Sequence, residues 1–205
     1  MMDLGLGLCL KNDILEIFQD FLRSFGNFFR PSFKVDFLLL LLDLKPCLRT
    51  PLKTKCIDEI AMKDWCQRFH FSFLIRGKDF FYLGRDKSMI LQAAEIDLSA
   101  RPHEYEFGAL LGYPTCCLQK IVKVGEANID AYEAKLSCQN FDGEFFLINP
   151  AKYLEGNAFI SHVPCSSCCS NSLTIAKKLA DFVRSNSGNF SLKGWEDELC
   201  HYRHR

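Results

Sequence analysis

The chain has 205 residues, 25 Lys+Arg balanced by 25 Asp+Glu, and 48% hydrophobic residues, enough to bury a core in one domain, or one domain with an appendage, without help from disulfides. Zero net charge argues against a protein whose main partner is nucleic-acid phosphate or an anionic membrane surface, and the composition does not suit disorder. The eleven cysteines therefore need another reason.

Leu4, Leu6, Leu8 and Leu10 open the chain, but the first positive side chain, Lys11, follows this apolar stretch instead of preceding it as in a secretory leader. The longest unbroken apolar run, Phe37 to Leu42, is six residues, against the ~20 that span a bilayer. These features predict a soluble, cytoplasmic protein with no membrane partner. In that compartment thiols stay reduced, and clustered cysteines point to metal or redox chemistry.

Asn12 to Phe29 reads as an amphipathic helix capped by Asn12 or Asp13, with Ile14, Ile17, Phe18, Phe21, Leu22, Phe25 and Phe28 at three- and four-residue steps and Pro31 closing it. Phe33 to Leu44 is a strand or a buried helix, which periodicity cannot decide, and Pro46 and Pro51 mark a loop or domain seam. A helix follows over Cys56 to Arg68. Phe69 to Ile75 alternates, and after Arg76-Gly77-Lys78-Asp79 comes Phe80 to Leu83, together a β-hairpin. Helices are then expected over 87–98, 103–111, 116–124, 127–138 and 166–185, with Arg101-Pro102 as a boundary and a frayed basic end from His201. The phenylalanines follow the period of each element, so they read as core and not as a stacking platform for nucleic-acid bases.

The expected fold is α+β. An N-terminal Phe-rich region (1–100) containing the hairpin packs on a mainly helical, cysteine-rich region (101–186), followed by a tail (187–205).

Cys9, Cys47, Cys56, Cys66, Cys138 and Cys200 are scattered singly, as small buried hydrophobes would be. The other five fall in two groups, Gly112-Tyr113-Pro114-Thr115-Cys116-Cys117 and His162-Val163-Pro164-Cys165-Ser166-Ser167-Cys168-Cys169. In each, a proline precedes the first cysteine and a helical pattern follows. That places the thiols at helix starts, where unpaired N–H groups and the helix dipole favour thiolate. Cys165 and Cys168, three apart, can present both sulfurs to one point. Adjacent Cys116 and Cys117 diverge in a regular helix, so both can ligate one centre only through an irregular backbone. His162 would complete a site of mixed nitrogen and sulfur ligands. The candidate metal ligands are thus Cys116, Cys117, His162, Cys165, Cys168 and Cys169. Four thiolates suit an iron–sulfur cluster, and a mixed set suits zinc. Two other readings are a Cys165–Cys168 dithiol and a nucleophilic cysteine with His162 as base and Glu104 or Asp130 as the orienting carboxylate.

Leu110-Leu111-Gly112-Tyr113-Pro114-x-Cys116-Cys117 and His162-x-Pro164-Cys165-Ser166-x-x-Cys169-x-x-Ser172 resemble the motifs of the DUF483 family of uncharacterised proteins, over roughly residues 103–180. The resemblance implies a shared site through His162, Cys165 and Cys169, with Cys168 as an extra, and implies no particular reaction. The function expected is a cysteine-ligated iron–sulfur or zinc protein, either an enzyme acting on a small molecule between the two halves or a zinc-stabilised binding or accessory module without catalysis. The third form is a dithiol redox protein. Sequence does not choose among them, nor does it fix the oligomeric state.

Overall fold

A computed structural model describes residues 4–53, 57–76, 79–99, 103–138 and 144–203. It is α+β, a three-stranded antiparallel sheet embedded among helices, with the C-terminal half mainly helical. Helix α1 (Leu4–Phe25) runs on through Asn12 and Asp13, so the cap expected there is not a start. Helix α2 (Phe33–Leu41) settles the ambiguous apolar run: Phe33 and Val35 through Leu41 are all buried, so the segment has no solvent face to give it a period.

Strand β1 (Cys47–Pro51) lies where a loop is expected from Pro46 and Pro51. The sheet order is β1-β3-β2, so β1 is an edge strand, the one kind of strand that tolerates proline. Helix α3 (Glu59–Phe69) is capped by Asp58, whose carboxylate accepts from the Ile60 and Ala61 N–H groups at 3.0 Å. His70 follows it in the left-handed conformation (φ 57°) and is exposed. The hairpin strands are β2 (Ser72–Arg76) and β3 (Phe80–Gly84), paired Ser72 with Gly84 through Arg76 with Phe80. β2 starts three residues later than the alternation suggests because Phe69 still belongs to α3. The turn residues 77–78 and the Arg101-Pro102 boundary lie outside the described residues.

The sheet is covered on both faces. Leu48, Phe81 and Leu83 join the main core, while Cys47 and Tyr82 pack with Ile90, Ala93 and Ala94 of α4 (Lys87–Asp97) and with Leu111. Burial on both sides explains why Phe80 to Leu83 is a continuous apolar run.

The main core is dense in rings. Phe21 contacts Phe25, Phe33, Phe37 and Trp65 at centroid distances of 4.6–5.2 Å, and Phe29 stacks on Phe33 at 4.2 Å. The phenylalanines singled out by period fill this core. The same cluster takes in Leu179 and Val183 of the long C-terminal helix α9 (Ser170–Ser185) and Trp195 and Leu199 of α10 (Lys193–Arg203). Trp195 is completely buried, and its indole N–H donates to the Ala158 carbonyl at 2.7 Å. Within the stretch expected as a tail, these side chains close the core.

Between α4 and α9 come α5 (Glu104–Leu110), α6 (Thr115–Val124), α7 (Ile129–Ser137) and the single turn α8 (Phe145–Ile148). Among the described residues no helix is long and apolar enough to cross a membrane.

Candidate metal centre

The first cysteine group is placed by the connection between α5 and α6. Gly112 has φ +77°. Its N–H donates to Ala109 O at 3.0 Å, and the Tyr113 N–H donates back to Gly108 O at 2.9 Å, the Schellman pattern that ends a helix on glycine. Only glycine fits. A side chain there would meet a left-handed backbone and a Pro46 carbon 2.6 Å from its Cβ. Pro114 then caps α6, its carbonyl accepting from Cys117 N at 2.9 Å and Leu118 N at 3.0 Å.

Cys116 and Cys117 are the second and third residues of α6, and their sulfurs stand 3.9 Å apart. Both reach one point on a regular helix because Cα–Cβ bonds tilt toward the N-terminus. Side chains of the first turn therefore extend past the helix end instead of diverging around its axis. An irregular backbone is not needed.

The second group lies mostly before its helix. Cys165 and Cys168 are in a turn, and Cys169 is the N-cap of α9. The Tyr132 hydroxyl of α7 holds this turn, donating to Cys165 O at 2.8 Å and Pro164 O at 3.2 Å. Cys169 Sγ then lies 3.6 Å from Cys116 Sγ and 3.7 Å from Cys117 Sγ. The sulfurs of Cys116, Cys117, Cys165 and Cys169 all lie within 4.8 Å of one another, with Cys117 and Cys169 buried and the other two half-buried. Such a group could hold a metal ion.

Two of the six sequence candidates stand apart. Cys168 is exposed, and its sulfur meets Ser166 Oγ at 3.7 Å. His162 is buried and reaches the thiols through an intermediary: its Nε2 is 2.8 Å from Ser172 Oγ, which lies 3.3 Å from Cys169 Sγ and 3.4 Å from Cys117 Sγ. Of the carboxylates weighed for a nucleophilic mechanism, Glu104 lines a neighbouring cavity and Asp130 is exposed on α7. The side chains of Cys9 and Cys56 fall outside the described residues.

Further donors converge on the sulfurs. Asn171 Nδ2 donates to Cys116 Sγ at 3.4 Å, the Cys165 N–H points to Cys117, and the Ser172 N–H and hydroxyl both serve Cys169. Burial opposes ionisation of Cys169, but the Ser172 bonds, with the Cys165 and Cys116 thiols, outweigh it and draw the group down to about 7. Burial pushes Cys165 up to about 11 and raises Cys117 as well. A cysteine drawn toward ionisation beside neighbouring sulfurs suits a cation, because an entering metal displaces thiol protons.

Behind the thiols lies a buried polar group that sequence reasoning does not assemble. Lys45 Nζ pairs with Asp36 Oδ1 and donates to Ser161 Oγ at 3.0 Å, while the Tyr153 hydroxyl donates to Asp36 Oδ2. Burial works against the Lys45 charge, yet Asp36 beside it prevails and raises the ammonium above its ordinary value. Tyr113 lies between Lys45, 5.1 Å from its ring centre, and the His162 ring at 5.4 Å. Burial, then Lys45, drives His162 down to about 3, so its ring is neutral. A signal for this group does exist in the sequence. Asp36 sits inside an apolar run, and a charge buried on all sides requires a partner.

Comparison with protein-family models, curated proteins and solved structures finds no match to this chain.

Proposed function

We propose that the protein binds one zinc ion between Cys116, Cys117, Cys165 and Cys169, and that the ion staples α6 to the segment entering α9, fixing one wall of a cavity that receives a small molecule. The observation that carries this reading is the spacing of the sulfurs. Four sulfurs held ~2.3 Å from one ion form a tetrahedron with edges of about 3.8 Å; the separations among Cys116, Cys117 and Cys169 are 3.6, 3.7 and 3.9 Å, and Cys165 Sγ lies within 4.8 Å of each. An iron–sulfur cluster instead binds each thiolate on the outside of a polynuclear core, which needs the sulfurs farther apart. With all four positions taken by protein sulfur, no coordination site is left for substrate, the arrangement of a structural centre. Recognition of a ligand then falls to the side chains of the cavity. The N–H and O–H donors aimed at the sulfurs suit thiolates whose charge exceeds that of the cation. A reducing, cytoplasmic setting fits a function that needs thiolates. The residues of the DUF483-like motifs belong to this group: Cys165, Cys169 and Ser172 lie beside the Cys116-Cys117 pair, and His162 reaches it through Ser172.

Protein purified under reducing, oxygen-free conditions is expected to be colourless with one zinc per chain by elemental analysis, and to lose the metal in Cys117→Ser and Cys169→Ser. Brown protein with iron and acid-labile sulfide would overturn zinc in favour of a cluster. Metal-free, folded protein that loses two thiols on mild oxidation within 165–169 would replace the centre with a dithiol.

A further inference from the structure

A cavity of about 430 Å³ lies beside the thiol centre, with Phe107, Leu111, Leu118 and Ile121 among its apolar walls. Its size suits a small organic molecule. We infer that it binds an organic cation, an amine whose ammonium is held by the field of the cavity's carboxylates while its hydrocarbon body lies on the apolar walls. The inference rests on the reading of this cavity as a small-molecule site, and not on which metal the thiols hold.

The lining carries an acidic surplus. Glu104 enters from the first turn of α5, while Glu126, Ile129 and Glu133 follow one face of the turn Glu126–Asn128 and α7 at steps of three and four residues. None of the three carboxylates has an ion-pair partner among the described residues. Arg49 also lines the cavity but is held by Asp97 at 3.0 Å, which leaves Arg30 alone against the three. Buried Lys45 and Asp36 cancel each other. Between apolar walls charge is weakly screened, so the surplus acts across the whole cavity and the carboxylates need not meet at one point. Glu133 is half-buried, and burial, then Asp130, raises its carboxyl above the ordinary value. Its charge is therefore held at a cost. A ligand cation offsets that cost, a neutral ligand deepens it by excluding water, and an anion adds to it.

A second feature, independent of the carboxylates, also points to a ligand. His162 lines the same cavity and is only 9% exposed. Its Nε2 is taken by Ser172 at 2.8 Å, while Nδ1 has no partner among the described residues. Among those residues, Ser137 Oγ is the one fully enclosed side-chain N or O atom without a partner. Nδ1, equally unpartnered, therefore keeps accessible surface, and for a ring set so deep that surface faces the cavity. Buried polar groups in folded proteins are almost all hydrogen-bonded, so a ring nitrogen open to a cavity and unpaired within the chain is directed at what the cavity binds.

The test is calorimetric titration of the full chain, with zinc measured on the same sample, using phenethylamine, its neutral isostere 2-phenylethanol and the anion 3-phenylpropanoate as probes. Phenethylamine is expected to bind at least about tenfold more tightly than the alcohol, with the anion weakest of the three. Added salt should weaken the amine and spare the alcohol. Glu133→Gln is expected to weaken phenethylamine about tenfold and leave 2-phenylethanol unchanged, a split that lost packing would not produce, and Glu104→Gln on the opposite wall should act in the same direction. Equal affinity for amine and alcohol, tighter binding of 3-phenylpropanoate, or a folded chain that ignores every probe would overturn the inference. Preference for the amine in a metal-free chain would overturn the zinc reading alone, so the two failures are distinguishable.

Discussion

Helix α2 is shared by two regions built on opposite principles. Phe33 and Phe37 point into a stack of rings with Phe21 and Trp65, held by apolar burial and needing nothing outside the chain. Asp36, on the same helix, anchors a network of Lys45, Tyr153 and Ser161 that adjoins Tyr113, His162 and the thiols. There every polar group depends on a partner, and the four sulfurs form a group that could hold a metal ion. The aromatic region needs no ligand, while on the zinc proposal the polar one is conditional on a cation.

The largest expected effect separates the two. Chelation, or Cys169→Ser, should cost on the order of 5 kcal/mol or more of local protection, since structural zinc is worth ~10–16 kcal/mol in small domains. In hydrogen exchange monitored by mass spectrometry, the loss should fall on α6 and the start of α9 and spare α2 and α3. Loss spread evenly through the molecule would show that the two regions are one cooperative unit.

Next is the buried ion pair. Lys45→Met leaves Asp36 charged and nearly inaccessible, which should destabilise by about 3–5 kcal/mol in denaturant unfolding. Adding Asp36→Leu should recover most of that, because paired buried charges replaced together by apolar side chains are often neutral. A double variant as unstable as Lys45→Met alone would mean that Tyr153 and Ser161 are the dominant partners of the pair.

A smaller effect appears with pH. His162 titrates at about 3 in the folded chain because of burial and then Lys45, against 6.5 for a free imidazole. The unfolded chain therefore takes up a proton below pH 6.5 that the folded chain refuses. The neutral ring's contribution is complete above that value and is lost as pH falls toward 3. By pH 5 the loss is about 2 kcal/mol. His162→Gln should flatten this part of the stability profile, measured where zinc stoichiometry remains at one. Phe21→Leu, which removes ring contacts alone, should lower the profile uniformly and leave its slope unchanged.

The contrast between the regions also explains how far sequence could be read. Phe18, Phe21 and Phe25 announce themselves by spacing because each acts through its own apolar area, and element period records where that area must point. Phe33 to Leu44 was undecidable for the same reason inverted: a helix buried nearly all round, as α2 is, has no period. β1 was hidden by its flanking prolines, which read as punctuation on any strand but an edge. In the site, the two cysteine groups were legible because repeated proline-led thiols are hard to attribute to packing. Beyond Asp36, a charge inside an apolar run, the partners Lys45 and Tyr153 were not, since single polar residues far apart in the chain become a network only when the fold brings Ser161 to Lys45 across 116 positions.

Cys168 gives the smallest effect and the finest discrimination. Its spacing from Cys165 matches a C-x-x-C half-site, and only the motif resemblance, not the spacing, ranks it below Cys169. The backbone ranks it: Cys169 is the N-cap of α9, with Ser172 directed at its sulfur, whereas the Cys168 thiol is exposed and contacts Ser166 at 3.7 Å. Cys168→Ser should accordingly change stability by no more than about 0.5 kcal/mol, the range of an ordinary surface substitution, and leave one zinc per chain. If Cys168→Ser removed the metal and Cys169→Ser did not, the ligand would be the i+3 cysteine, and the Ser172–His162 link would then end on a thiol outside the centre.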